Sequence, residues 1–203
     1  PATGRVVITV TGSQPLTIGF VPPQCTTSDL PTAPIAITVS DPDGDVNSLQ
    51  LSGQAANPVL IPNANLQFGG SGQQRQLVIT PVSGTLGRTR IQVTVSDGLG
   101  RSASVSFPLV VGLAGDLDLD GVPNDVEDAG PAGDMNGDGI PDRHQSNVAT
   151  LRVHGSEAFL SLTVPEQQAF SQVTSLANPV PSGPGPNAEF PLGLVHYELL
   201  VDS

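Results

Sequence analysis

Through the first 111 positions apolar and polar residues alternate with a period of two, the mark of strands that bury one face and solvate the other. The stretch "RVVITVT" sets Val6, Ile8 and Val10 on one face. "PIAITVS" does the same with Ile35, Ile37 and Val39, and "RIQVTVS" with Ile91, Val93 and Val95. "SVSFPLVV" continues the pattern at Val105, Phe107, Leu109 and Val111. Shorter strands are expected at "LQLSG" from Leu49, "PVLIP" from Pro58 and "RQLVIT" from Arg75. The clusters "SDPDGD", "GGSGQQ", "SGTLGR" and "SDGLG" supply the turns between them. Many short strands without a helical period predict an all-β fold built on an antiparallel sandwich.

Strand patterning resumes after Gln145 in "ATLRVHG", "AFLSLTV" and "QAFSQVTS". A Pro- and Gly-rich loop, "NPVPSGPGPNAEFPLG", then precedes a last strand, "LVHYELLV". The chain therefore divides into residues 1–11, the end of a preceding repeat or a first strand; 12–111, the sandwich; 112–146, a segment without strand pattern; and 147–203, a second β-rich unit. An echo between "GRVVITVTGSQPLTIGF" and "GRTRIQVTVSDGLGRSASVSF" favours a preceding repeat. The pattern opens within a strand and stops after "LLVDS", so the chain reads as a fragment of a longer protein whose second unit is cut short. Such a cut would leave an unpaired sheet edge at Leu194 to Val201.

Composition agrees with short strands and turns: 23 Gly, 20 Pro, six Phe, one Tyr and no Trp. All seven basic residues are Arg, and the net charge is -12. That balance excludes nucleic acid, whose phosphates need clustered Lys and Arg, and docking on anionic lipid. No apolar run is long enough to span a membrane, so direct insertion is not expected of this segment. The single cysteine, Cys25, has no intrachain partner; it is a free buried thiol or a site of intermolecular pairing.

Charge changes the picture most between Gly115 and Gln145. Nine of the nineteen acidic residues lie between Asp116 and Asp142, with no basic residue among them. One motif occurs there twice, offset by 18 residues (134 minus 116). The first copy carries Asp116, Asp118, Asp120, Gly121, Val122, Asn124 and Glu127 at positions 1, 3, 5, 6, 7, 9 and 12. The second carries Asp134, Asn136, Asp138, Gly139, Ile140, Asp142 and Gln145. Calcium takes six to eight oxygen ligands, and a loop winding around it presents them at positions 1, 3, 5, 7, 9 and 12, with Gly at position 6 for the sharp turn. Position 7 gives a backbone carbonyl, leaving the Val122 and Ile140 side chains to pack outward. Magnesium, which retains water, and zinc, which takes Cys and His, suit the pattern less. Two Ca2+ ions are expected. The first copy has the bidentate Glu127 where the second has the neutral Gln145, so the first should bind more tightly unless Asp125 or Asp128 reaches the second ion.

The flanks separate the loop types with this spacing. A strand precedes Asp116 and "DAGPAG" follows Glu127, which leaves no room for the paired helices of an EF-hand or the docking helix of a dockerin. Pro123 and Pro141 also lack the N–H that paired EF-hand loops exchange. "DLDLDGVPNDVE" and "DMNGDGIPDRHQ" resemble thrombospondin type 3 repeats, which implies calcium-filled loops in which the ions serve as the core. "ITVSDPDGDVNSLQLSG", "NPVLIPNANLQFGGSGQQRQLVITP" and "GRTRIQVTVSDGLGRSASVSFPLVV" resemble bacterial immunoglobulin-like and cadherin-like surface repeats, which implies a spacer or adhesive sandwich. "NGDGIPDRHQSNVATL" with "FPLGLVHYELLV" resembles the choice-of-anchor U domain of bacterial surface proteins, which implies a position near a C-terminal sorting signal.

Other chemistry is sparse. His144, His154 and His196 are scattered and accompany no nucleophile motif, and "GGSG" lacks the strand–helix context of a phosphate loop, so no enzyme is expected. Asp41, Asp43, Asp45 and Asp97 are turn formers or a cadherin-like calcium site. The sequence thus points to a non-catalytic, calcium-binding segment of a bacterial cell-surface protein, stiffening the joint between an immunoglobulin-like repeat and an anchoring domain. The rival reading is a secreted module that recognises a glycan or a surface protein, with calcium as a structural ion only.

Overall fold

The computed structural model describes residues 14–129, 131–153, 156–176 and 194–200; the strand expected from Arg5 to Thr11 lies outside them. The fold is all-β. Eight strands form the first unit: β1 (Thr17–Ile18), β2 (Gln24–Thr27), β3 (Ile35–Ser40), β4 (Gln50–Ala55), β5 (Leu66–Ser71), β6 (Gln74–Ile79), β7 (Gly87–Ser96) and β8 (Ser102–Gly112). They make two four-stranded sheets, ordered β1-β3-β6-β5 and β2-β8-β7-β4. Alternation decides which face is buried: Ile35, Ile37 and Val39 of β3 and Ile91, Val93 and Val95 of β7 enter one core with Leu77, Ile79, Phe107 and Leu109. That shared core makes the pair of sheets a sandwich.

Three details depart from the sequence expectation. "PVLIP" is a turn, because Pro58 and Pro62 withhold ladder N–H groups and the Asn57 side chain accepts from the N–H of Val59 and Leu60. The turn still buries Leu60 and Ile61 in the core. The sandwich is not wholly antiparallel, since β2 pairs with β8 in parallel, Cys25 opposite Val110. The turn expected across "GGSGQQ" is mostly strand: β5 runs to Ser71 and β6 starts at Gln74.

The second β-rich region holds β9 (Val148–Arg152) paired with β10 (Phe159–Thr163), and β11 (Phe170–Leu176) paired with β12 (Leu194–Leu199). Ala149, Leu151, Phe170 and Val173 form its small core. Between the two regions stand a single helical turn, α1 (Asn124–Glu127), and short 3-10 turns at Pro131–Asp134 and Asp142–His144. No helix among the described residues is long and apolar enough to cross a membrane.

One row of the second sheet positions the site. Register places Cys25 and Arg88 opposite Val110 on either side of it, so the three lie side by side across β2, β8 and β7. Because β7 buries Thr89, Ile91 and Val93 toward the core, Arg88 and Arg90 stand on the outer face. Val110 is nevertheless fully buried, and the end of β8 is buried on both faces. The outer face is therefore covered here, and the acidic segment is part of the cover: the Arg88 guanidinium bonds to it, and charges on Asp118 and Glu127 act on the Cys25 thiol.

Candidate metal centre

The acidic segment folds back on β8 as soon as the strand ends. Leu113 and Asp116 form an antiparallel bridge, and a Cβ at Gly112 would come within 2.0 Å of the Leu117 carbonyl oxygen. Glycine at 112 is thus what lets the loop backbone lie on the strand. The two motif copies then follow one backbone path. Position 4 is left-handed in both, Leu119 at φ 58° and Gly137 at φ 74°, and so is position 6, Gly121 at 93° and Gly139 at 85°. In both, the position-5 carboxylate accepts from the position-7 N–H at 2.8 Å, Asp120 from Val122 and Asp138 from Ile140.

The side chains of the two copies are treated differently. In the first, carboxylate oxygens of Asp116, Asp118 and Asp120 lie within 4.8 Å of one another. Asp118 is 1% exposed and Glu127 0%, yet neither oxygen of either carboxylate has a hydrogen-bond donor. One oxygen of Asp116 is likewise buried without a donor. Burying a carboxylate without compensation is among the costliest arrangements in a protein. Burial, and after it the charges of Asp120, Glu127 and Asp116, pushes Asp118 up to about 9. Glu127 is raised to about 8 by burial and then by Asp120, Asp116 and Asp142. Asp120 is raised to about 6 by burial, against the opposing hydrogen bonds from Val122 and Thr150. Asp116, Asp118 and Asp120 form a compact, oxygen-only donor set that could hold a metal ion, and the charge of the buried Glu127 carboxylate acts on it.

Two other predicted positions of the first copy, Asn124 and Val122, also make contacts within the fold. The Asn124 amide closes the turn, accepting from the Leu117 N–H at 3.0 Å and donating to the Ala114 carbonyl at 2.9 Å. The Val122 side chain is buried instead of packing outward, while Ile140 is exposed. In the second copy the acceptors are mostly satisfied. Asp134 takes the N–H groups of Gly137, Asp138 and Gly139, Asn136 bonds to Asp138, and the Gln145 amide donates to Asp138 and to the Ile140 carbonyl. Asp142 alone keeps a buried oxygen without a donor. Asp128 pairs with Arg143 at 2.9 Å, and Asp125 is exposed.

Residues outside the motif tie the loop to both β regions. Arg88 of β7 donates to the carbonyls of Asp118 and Leu119, at 2.6 and 3.1 Å. Thr150 of β9 donates its backbone N–H to Asp120 and its hydroxyl to Asp142. Arg90 donates to the Gln167 carbonyl at 2.7 Å, linking the sandwich to the β10–β11 connection directly. In the sequence, the only signal for Arg88 and Arg90 is a pair of arginines two apart at a strand start in an acidic chain.

The acids at the other end of the sandwich already hold a cation from the protein. Arg101 meets Asp97 at 2.6 Å and Asp41 at 3.2 Å, with Asp43 at 3.7 Å. Asp45 caps a short 3-10 turn through the Asn47 N–H. These four residues serve turns and an arginine. Cys25 is a free, partly buried thiol held in its protonated form by burial and by Asp118. A groove of about 650 Å³ beside Arg88, lined by Gln54, Asn57, Arg90, Gln92 and others, has no aromatic platform among the described residues.

No family model and no curated protein matches the chain. A solved structure described as the ZirS C-terminal domain aligns at 17% sequence identity and a TM-score of 0.32, over 55% of this chain and 86% of that one.

Proposed function

We propose that this chain is a non-catalytic, calcium-stiffened joint of a bacterial cell-surface protein. The observation that carries the reading is the pair Asp118 and Glu127: two buried carboxylates, four oxygens, and no donor for any of them. Asp116, Asp118, Asp120 and Glu127, with the Val122 carbonyl, would hold the ion. The choice of calcium follows from hard oxygen donors alone and from a loop that supplies most of the shell itself. The ion supplies the positive charge that this set lacks. The chain's own residues then do the mechanical work: Arg88 grips the loop from the sandwich and Thr150 grips it from the second β region. Without neutralisation, repulsion among the acids opposes both grips. The cell-surface setting and the neighbouring anchor rest on the sequence resemblances.

Melting the protein in excess calcium and in chelator tests the reading. An ion bound only by the folded chain at a hundredfold excess over Kd adds about 2.7 kcal/mol, or roughly 5–10 °C for a chain of this size. Protease resistance across Gly115 to Gln145 should rise with it. Identical melting and cleavage in the two conditions would contradict the proposal.

A further inference from the structure

We propose that the two loops together hold one ion, not two: the second loop is closed by its own Gln145 amide and lends Asp142 to the first. This rests on the first loop being an ion site. The backbone paths match at positions 4, 5, 6 and 7, so the difference lies in the side chains. In the second loop Gln145 Nε2 donates to Asp138 Oδ1 at 3.2 Å and to the Ile140 carbonyl at 2.9 Å. Those are the position-5 carboxylate and the position-7 carbonyl, two of the groups a loop cation needs. The amide N–H2, with its partial positive charge, bonds to both of them. Asp134 at position 1 accepts three backbone N–H groups, at 2.8, 3.1 and 3.0 Å, which leaves one of its lone-pair sites for an ion.

Asp142 is the exception. It is fully buried; Oδ2 accepts from the Met135 N–H and the Thr150 hydroxyl, both at 3.2 Å, the Asn136 N–H also acts on the carboxylate, and Oδ1 makes no hydrogen bond of normal geometry. Thr150 donates at the same time to Asp120, so one residue joins a carboxylate of each loop. The charge of Asp142 acts on Glu127, the orphaned position-12 acid of the first loop. Thr150 thus brings the Asp142 and Asp120 carboxylates to one residue, and we assign the spare Asp142 oxygen to the ion of the first loop, which would tie loop to loop as well as loop to sandwich.

Calorimetric titration of the 203-residue chain with calcium chloride decides this. The expected wild-type stoichiometry is one. Asp142→Asn should weaken that site at least about tenfold, whereas Asp138→Asn should leave its affinity unchanged. Gln145→Glu restores the bidentate acid at position 12 and should raise the stoichiometry to two; this variant decides the matter should Asp142→Asn fail to fold. Two ions in the wild type, an unaltered affinity in Asp142→Asn, or a single ion in Gln145→Glu overturns the inference and leaves the first site standing. No binding by the wild type overturns both.

Discussion

Arg88 donates to the backbone carbonyl of Asp118 at 2.6 Å, so a strand of the sandwich holds the loop by its main chain while the Asp118 carboxylate stays unpaired. Arg88→Met removes a charged donor from two carbonyls and should cost about 2 kcal/mol with or without calcium. Arg88→Lys keeps the charge without the planar fork and should recover only part of it. Chemical denaturation of the three proteins in chelator and in calcium checks both values.

Glu127→Gln should change sign with conditions. In chelator at pH 9, above the value of about 8 for Glu127, it removes a buried, uncompensated charge, so the variant should melt higher than the wild type. In calcium it removes a bidentate ligand, so the gain on adding the ion should shrink or vanish. Asp118→Asn should behave alike. A variant that melts lower than the wild type in chelator would argue that Glu127 has a partner other than a cation.

The metal-free protein should lose stability as pH rises. Asp120, Glu127 and Asp118 lie at about 6, 8 and 9 in the folded chain, above their ordinary 3.8, 4.5 and 3.8. The folded state therefore binds more protons than the unfolded one across this window. Its contribution is complete below about pH 4 and is lost as pH climbs through 6, 8 and 9. Melting temperature in chelator should fall between pH 5 and pH 9. Calcium competes with those protons, so its affinity should rise over the same range, and saturating calcium should flatten the fall.

Arg101→Met should lower the melting temperature by the same amount in calcium and in chelator. It strips the cation from Asp97 and Asp41, whose side chains are nearly buried, beyond the end of β7 opposite to Arg88. A calcium-dependent difference would instead mark the Asp41–Asp97 group as a second ion site.

Local features were legible in the sequence and distant ones were not. The alternation of Ile35, Ile37 and Val39 reports the buried face because a strand has period two. The spacing of Asp116, Asp118 and Asp120 likewise brings three carboxylates together, because Gly121 permits the turn that follows them. Pro58 to Pro62 has the apolar pattern of a strand but buries its apolar residues from a turn, and burial without ladder N–H groups looks the same in one dimension. The spacing makes Gln145 a weaker ligand than an acid at position 12, and the bonds from its amide to Asp138 and to the Ile140 carbonyl are contacts no spacing rule encodes. Arg88 and Thr150 stand about thirty positions on either side of Asp118 and Asp120, and only the folded chain brings them to the loop.

Hydrogen exchange at the Thr150 amide, with and without calcium, tests the joint most directly, because that N–H bonds the second β region to Asp120 of the first loop. The account predicts that exchange of Thr150 and of Leu117 to Val122 slows at least about tenfold in calcium, the protection that 1.4 kcal/mol of added local stability confers. Equal exchange in calcium and in chelator would contradict it.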